Sequence, residues 1–422
     1  MSQPNLEVHR LINTRQFQAI RTQVLLLCVV LMLVAAMFLS LAMKAPMPSK
    51  LTLSVTAMAS VMGYIGFGFL ADVCGRKTGI LAALAVCVVA ASMQALVNHP
   101  MLMMVVRALL SVGSSGLLCC VLTMAYEFSH SRKRFLVLSC LLALLALMTS
   151  CSVLLIRLPW FVQSSWLASA LLLSGILISI ACAYWLWRYL PDSWYFWVNT
   201  KNQPAILQEW QRMQLQTHAV PELHMPSTDS KPILWLYGAI LGGSVSAHIL
   251  LAVSMLLNFY IASVAIAPLV NNVLRVNVVM GISFLISIVS TVGVGWMMDK
   301  WPAQKILLWL CGLAAVCALI LGSGWLRFHG GVAVFLCFLC LLVFAIGGLA
   351  SGIKMWVVDV IPTAYRARAW ACVYAAISLI PILGLKLEFF KYLNHSSNSV
   401  FLAAPILTVA VFLWLMGRCV QK

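Results

Sequence analysis

The sequence predicts an all-α membrane protein with twelve transmembrane helices in two six-helix bundles. Three observations support this. The 422 residues are 63% hydrophobic and only 9% charged, apolar segments recur along the whole chain, and the two halves repeat the same motifs. Soluble domains contain about 25% charged residues. A charged fraction of 9% therefore excludes a water-soluble globular enzyme.

Twelve apolar segments are long enough to cross a bilayer, which takes about 20 residues each. In order, they are 22–43, 51–71, 79–97, 101–126, 135–156, 165–189, 233–257, 276–298, 305–326, 331–358, 369–385 and 398–417. The longest polar stretch, 191–232, contains five prolines and predicts a cytoplasmic linker. The predicted domains are therefore an N-terminal bundle (1–190), the linker (191–232) and a C-terminal bundle (233–422).

The charges indicate how the chain is oriented. With the amino terminus inside, 18 Lys and Arg residues lie in cytoplasmic segments and seven on the opposite side. Cytoplasmic loops carry such an excess, so both termini are predicted in the cytoplasm. The net charge of +17 is scattered between apolar segments rather than gathered on one face, which argues against nucleic acid as a partner and leaves membrane lipid. The 14 cysteines mostly lie in apolar runs and predict no metal site.

In each half, one helix ends with a glycine that is followed four residues later by an aspartate. Gly68 precedes Asp72 after the second segment, and Gly295 precedes Asp299 after the eighth. The corresponding positions indicate a duplicated six-helix unit, as in secondary transporters built from parallel repeats.

A second motif pairs an acid with an arginine seven residues later. Glu127 precedes Arg134 at the end of the fourth segment, and Asp359 precedes Arg366 at the end of the tenth. Two matched motifs at corresponding positions in each half are unlikely to arise by chance.

At these residues the sequence resembles the major facilitator superfamily. Gly68, Asp72, Gly75, Arg76 and Lys77 match its loop signature after the second helix. The segment 107–116 resembles the fourth-helix motif of the superfamily. The segment 190–194 resembles an element after the sixth helix of sugar and organic-ion transporters. The segment 359–368 resembles the loop before the eleventh helix of organic cation transporters.

The resemblance implies transport of a small organic solute by alternating access. The alternative is a transporter-like sensor or scaffold that binds a ligand without moving it. A membrane-embedded enzyme is a further alternative, which the lack of a catalytic set of residues argues against, and no cofactor is expected. The short loop 44–50 favours a bacterial-type protein and hence an inner-membrane location. The protein is expected to be a monomer.

Four acids, Asp72, Glu127, Asp299 and Asp359, are placed at cytoplasmic helix ends beside basic residues. We expect inter-helix ion pairs that close a gate; the alternative is that these charges only set topology and anchor lipid headgroups. The predicted gating residues are Gly68, Asp72, Gly75, Arg76, Lys77, Glu127, Arg134, Asp299, Lys300, Asp359, Arg366 and Arg368.

No acidic residue is predicted at mid-membrane, which favours a neutral or weakly anionic solute. The candidate solute-binding residues are Arg107, Ser111, Ser244, His248, Ser287, Tyr374 and Ser378. Two of them have alternatives. His248 could be a neutral, hydrogen-bonded core histidine, and Arg107 could bind helix-end carbonyls. Serines also serve plain helix packing.

Overall fold

The structure is a computed structural model that describes residues 15–42, 50–97, 99–157, 165–190, 192–193, 273–322, 332–361 and 365–386. Within these ranges ten α-helices occur. They are α1 (Arg15–Ala42), α2 (Lys50–Cys74), α3 (Arg76–Leu96), α4 (Pro100–Phe128), α5 (Arg134–Arg157), α6 (Ser165–Tyr189), α7 (Val273–Met298), α8 (Ala303–Gly322), α9 (Val332–Val360) and α10 (Arg366–Lys386). A 3₁₀ turn, Ser131–Lys133, precedes α5.

Ten of the predicted segments coincide with these helices. The segment 101–126, for example, lies within Pro100–Phe128. The segments 233–257 and 398–417 lie outside the described residues, as does the linker 191–232 apart from Asp192 and Ser193. The domain boundaries therefore stay a prediction.

Six stretches of the described helices are long and apolar enough to cross a membrane. They are Ala19–Phe38, Ser54–Cys74, Arg76–Leu96, Pro100–Phe128, Ser169–Tyr189 and Cys340–Asp359. Their length and composition agree with the prediction of a membrane protein.

Gly75 alone connects α2 to α3. Its φ of 105° and ψ of 153° lie where side chains other than hydrogen are strained, so the position requires glycine. The chain reverses at this residue, and Arg76 becomes the first residue of α3.

The described contacts form two compact units. The first comprises described residues within 1–131, 147–233 and 361–378. Its centre is α4, which packs against α1, α2 and α3 and is buried from Leu117 to Phe128. A Cβ on Gly63 or Gly116 would meet α4 or α2 atoms at under 3 Å, so small residues set the close approach of these helices.

The second unit comprises described residues within 132–146, 234–360 and 379–422. There α9 packs against α7 and α8. Gly347 lies against Ser287 and Gly348 against Ser290, so the α7–α9 contact also depends on small side chains.

Candidate functional site

Asp72, at the end of α2, binds the first turn of α10. Its Oδ1 accepts a hydrogen bond from the backbone N–H of Ala367 at 3.3 Å, and its Oδ2 accepts one from Arg368 at 2.9 Å. The first N–H groups of a helix lack partners within it and carry partial positive charge. The carboxylate therefore satisfies two such donors and complements the charge of the helix end.

Gly68 allows this contact. A Cβ at this position would lie 2.4 Å from the Cβ of Ala371 and 3.0 Å from the carbonyl oxygen of Ala367. Gly66, two residues earlier on the same helix, faces open space. Glycine is thus needed at position 68, where α2 meets α10, and not at position 66.

In the second unit, Asp299 follows α7 and binds the first turn of α5. Its Oδ1 accepts from the N–H of Phe135 at 3.0 Å, and its Oδ2 from Leu136 at 2.9 Å. Burial raises the pKa of the Asp299 carboxyl, and these two hydrogen bonds oppose the rise.

The two contacts repeat in the same register. A Cβ on Gly295 would lie 2.7 Å from the carbonyl oxygen of Phe135 and 2.5 Å from the Cβ of Ser139, whereas Gly293 faces open space. Counted from the first residue of each helix, Phe135 and Ser139 hold the positions in α5 that Ala367 and Ala371 hold in α10. Each Gly-x-x-x-Asp segment therefore docks onto a helix start in the same way.

Around Asp72 the contact is reinforced by arginines. Arg76 Nη1 lies 3.1 Å from Asp72 Oδ1, and Arg368 Nε lies 3.5 Å from Oδ2. The Asp72 side chain is fully buried among these groups. Arg368 also lies over the ring of Phe69, with its guanidinium carbon 4.4 Å from the centroid.

Arg76 and Glu127 form a buried bidentate pair. Arg76 Nη2 lies 3.1 Å from Glu127 Oε1, and its Nε lies 3.3 Å from Oε2. Arg366 Nη1 lies 3.7 Å from the same Oε1, and its guanidinium stacks 4.6 Å over the ring of Tyr126. The predicted cluster of Asp72, Arg76, Glu127 and the α10 arginines is thus assembled.

The partners of Asp299 differ from those of Asp72. Asp299 binds backbone N–H groups, while the ammonium of Lys300 lies 3.8 Å over the Trp296 ring. A helix start already supplies positive charge, so this carboxylate needs no lysine there.

The remaining members of the predicted gating set lie at helix ends. Arg134 is the first residue of α5. Asp359, which is exposed, is the last residue but one of α9.

Lys77 and Asp192 join α3 to the end of α6. The Lys77 ammonium donates to the carbonyls of Leu190 at 2.8 Å and Trp187 at 3.2 Å, and its backbone N–H donates to Asp192 at 3.2 Å. The Ser193 N–H donates to the same carboxylate at 2.7 Å. Asp192, which sequence reasoning placed in the linker, is therefore part of the cluster at this end of the first unit.

The pH dependence of stability tests this role of Asp192. Burial raises the pKa of its carboxyl from 3.8 to about 6, although hydrogen bonds from Ser193 and Lys77 favour the charged form. A group with a raised pKa stabilises the fold at low pH and loses that contribution as pH rises through the folded-state pKa. We expect Asp192→Asn to gain apparent Tm relative to wild type, by a few degrees, as pH rises from 4 to 7.5. Thermal unfolding in detergent measures the difference, and a value constant over this range would contradict the account.

A stack of three aromatic rings lies beyond the cluster along α2 and α10. The Tyr374 ring is stacked on Trp370 at 5.4 Å and on Tyr64 at 5.3 Å, and all three side chains are buried. Tyr374 was a candidate for solute binding. Tyr64 gave no signal in the sequence, because it lies in an uninterrupted apolar segment.

The other solute-binding candidates are placed as follows. Arg107 and Ser111 are buried on α4, and the hydroxyl of the nearby Ser114 donates to the Ser111 carbonyl. The Ser378 hydroxyl donates to the Tyr374 carbonyl. Ser287 packs on Gly347 of α9. Ser244 and His248 lie outside the described residues.

The motif geometry agrees with a family match. The sequence model described as Major Facilitator Superfamily matches residues 25–385. The chain belongs to this superfamily. The family resemblance and the fold class are thereby confirmed: the protein has the major facilitator fold, whose members have twelve helices in two bundles. No curated protein matches the sequence.

Solved structures of superfamily members share the fold. The proton:xylose symporter XylE bound to 6-bromo-6-deoxy-D-glucose has a TM-score of 0.70 at 15% identity, over 94% of this chain and 96% of that one. The E. coli fucose:proton symporter FucP has a TM-score of 0.60 at 13% identity, over 93% and 98%. The human organic anion transporter MFSD10 has a TM-score of 0.61 at 11% identity, over 95% and 100%. At these identities the likeness shows the fold alone.

Proposed function

We propose that the protein moves a small organic solute across the membrane by alternating access, and that the two aspartate–helix contacts are locks that close one end of the transport path. The observation that carries this is the matched docking of Gly68–Asp72 on α10 and of Gly295–Asp299 on α5. Two states that interconvert require contacts that can be broken and remade.

These contacts suit that purpose. Each carboxylate and each helix-start N–H can be hydrated when the two separate, so opening leaves no buried group without a partner. A carboxylate at a helix start contributes about 0.3–2 kcal/mol. Two such locks, together with the arginines around Asp72, bias a two-state equilibrium by a few kcal/mol without fixing it.

The alternative is a sensor or scaffold that binds a ligand without moving it. A sensor has less need of two working gates than a transporter has. Two locks built alike from both halves of the sequence favour the transporter.

The solute is proposed to be neutral or weakly anionic. Arg107 places a buried guanidinium on α4, and by helix rise it lies about 30 Å along the axis from Glu127. Serine hydroxyls at Ser111 and Ser114 lie on the same helix. The structural neighbours are named as transporters of sugars and of an organic anion. Both kinds of solute can accept hydrogen bonds from hydroxyl and guanidinium groups.

The locks are proposed to face the cytoplasm of a bacterial cell. The cytoplasmic side rests on the excess of 18 over seven basic residues in the segments assigned to the inside, and the bacterial assignment rests on the short loop 44–50. A reporter fused after Lys422 is then expected to behave as cytoplasmic, and one inserted in 44–50 as external. The reverse labelling of the two sites would rule out this topology.

Uptake into proteoliposomes tests the function, with a library of sugars and small organic anions as solutes. We expect saturable uptake that persists when a protonophore removes the proton gradient. Coupling needs a group that binds a proton and influences solute binding, and no acidic residue is predicted at mid-membrane.

The comparison of wild type with His248→Ala makes the test specific. Loss of accumulation with protonophore in both proteins would refute proton-independent transport. Loss in wild type alone would make His248 the coupling residue. Solute binding without any flux would favour the sensor.

A further inference from the structure

The turn between α7 and α8 holds a preformed cluster of aromatic and cationic side chains. The Lys300 ammonium lies 3.8 Å over the Trp296 ring, and the Trp301 ring meets Trp296 edge to face at 6.4 Å and 83°. The backbone fixes the turn, because the N–H groups of Lys300 and Trp301 both donate to the Met297 carbonyl, at 3.0 and 2.9 Å. The cluster is therefore positioned before any ligand arrives.

The outer face of this turn is positive and open. Lys300 and Lys305 are exposed, and Trp296 and Trp301 are 45% and 52% exposed. The acid of the turn, Asp299, directs both carboxylate oxygens to the start of α5. Both of its oxygens are thus already bound to backbone N–H groups.

An exposed apolar stripe on α7 leads to the cluster. Leu285, Val289 and Trp296 follow at helical spacing and are 55%, 63% and 45% exposed. Gly293 lies between the last two and leaves open space beside the helix. From Leu285 to Trp296 the helix rises about 16 Å. The hydrocarbon core of a bilayer is about 30 Å thick, and one leaflet is half of that. The length of the stripe therefore matches the depth that one acyl chain occupies.

We propose that this turn is a binding site for an anionic phospholipid. The phosphate accepts hydrogen bonds from the ammonium groups of Lys300 and Lys305 and from the indole N–H of Trp301, while an acyl chain lies along Leu285 and Val289. Lysines beside a bilayer attract anionic headgroups, and tryptophans prefer the headgroup level. The proposal goes beyond the transport function and does not require it.

A second aromatic cluster, at the end of α6, provides the comparison. Trp185 and Tyr189 are 48% and 60% exposed there, beside exposed Arg188. The nearby Lys77 ammonium, however, donates to the carbonyls of Trp187 and Leu190. The α6 end therefore matches the turn in aromatic exposure, but among the described residues it presents one exposed cation where the turn presents two.

The test is lipid retention by the purified full chain. The protein is reconstituted in nanodiscs of equal parts phosphatidylglycerol and phosphatidylcholine, released, and examined by native mass spectrometry. We expect wild type to retain phosphatidylglycerol at least fivefold over phosphatidylcholine. The double variant Lys300→Gln/Lys305→Gln should lower this ratio at least threefold, and Arg188→Gln should leave it unchanged.

Three results would overturn the proposal. Equal retention of both lipids by wild type would remove the preference for anionic headgroups. Equal loss in Arg188→Gln and in the double variant would show general attraction rather than a site. Displacement of the bound lipid by millimolar inorganic phosphate would assign the lysines to a soluble anion. All readouts are independent of solute uptake, so they stand apart from the test of transport.

Discussion

Replacing Gly68 with valine is expected to open the lock between α2 and α10 and to lower uptake at least tenfold. The new Cβ would lie 2.4 Å from the Cβ of Ala371, well inside normal contact, so the helices must separate. Cys119 reports the separation, because its buried thiol donates to the Ala367 carbonyl at 3.2 Å. Maleimide labelling of Cys119, followed by peptide mass spectrometry, should rise severalfold.

Two controls make this result specific. Gly66→Val adds the same side chain to the same helix in open space and should behave as wild type. Cys87, buried where α3 meets Gly113 of α4, should remain unlabelled in both variants and so report an intact fold. Equal losses in the two glycine variants, or unchanged Cys119 labelling in Gly68→Val, would contradict the lock.

Asp72→Asn is expected to shift the same equilibrium without adding bulk. Asparagine keeps one acceptor oxygen but loses the charge that faces Arg76, Arg368 and the helix start. Breaking a buried charge cluster costs about 3–5 kcal/mol, which is at least a hundredfold in the equilibrium between closed and open states. Cys119 labelling should therefore rise and uptake should fall sharply.

Asp299→Asn provides the matched comparison. Asp299 binds the helix start of α5 while Lys300 lies over Trp296, so the variant loses about 1 kcal/mol of charge–dipole attraction. We expect a reduction in uptake of about fivefold. An equal or larger defect in Asp299→Asn would show that the arginines around Asp72 add nothing to its lock.

The helices were predictable because apolar length alone decides them. The spacing of Gly68 and Asp72 was equally informative, since residues four apart lie on one face of a helix and so approach the same neighbour. The sequence could not show which neighbour that is. The contact with α10 depends on tertiary packing, and only the structure places Ala367 and Ala371 against this face.

The partners of Asp299 and Asp192 show why charge pairing is hard to derive from sequence. Both carboxylates bind backbone N–H groups, which every residue except proline supplies and which leave no trace in residue types. Tyr64 was unpredictable for a different reason, since a tyrosine in an apolar helix resembles ordinary core.

A reversible cross-link across the first lock tests the central claim most directly. Phe69 on α2 and Tyr365 beside α10 flank the Arg368 guanidinium. Their ring centroids lie 4.4 and 5.6 Å from the guanidinium carbon. In a Cys74→Ala/Cys372→Ala background, Phe69→Cys and Tyr365→Cys can be joined by a bifunctional methanethiosulfonate while Asp72 and Arg368 stay in place. If the lock must open during each transport cycle, the cross-link abolishes uptake, reductant restores it, and neither single cysteine has this effect. Full uptake by completely cross-linked protein would contradict the account.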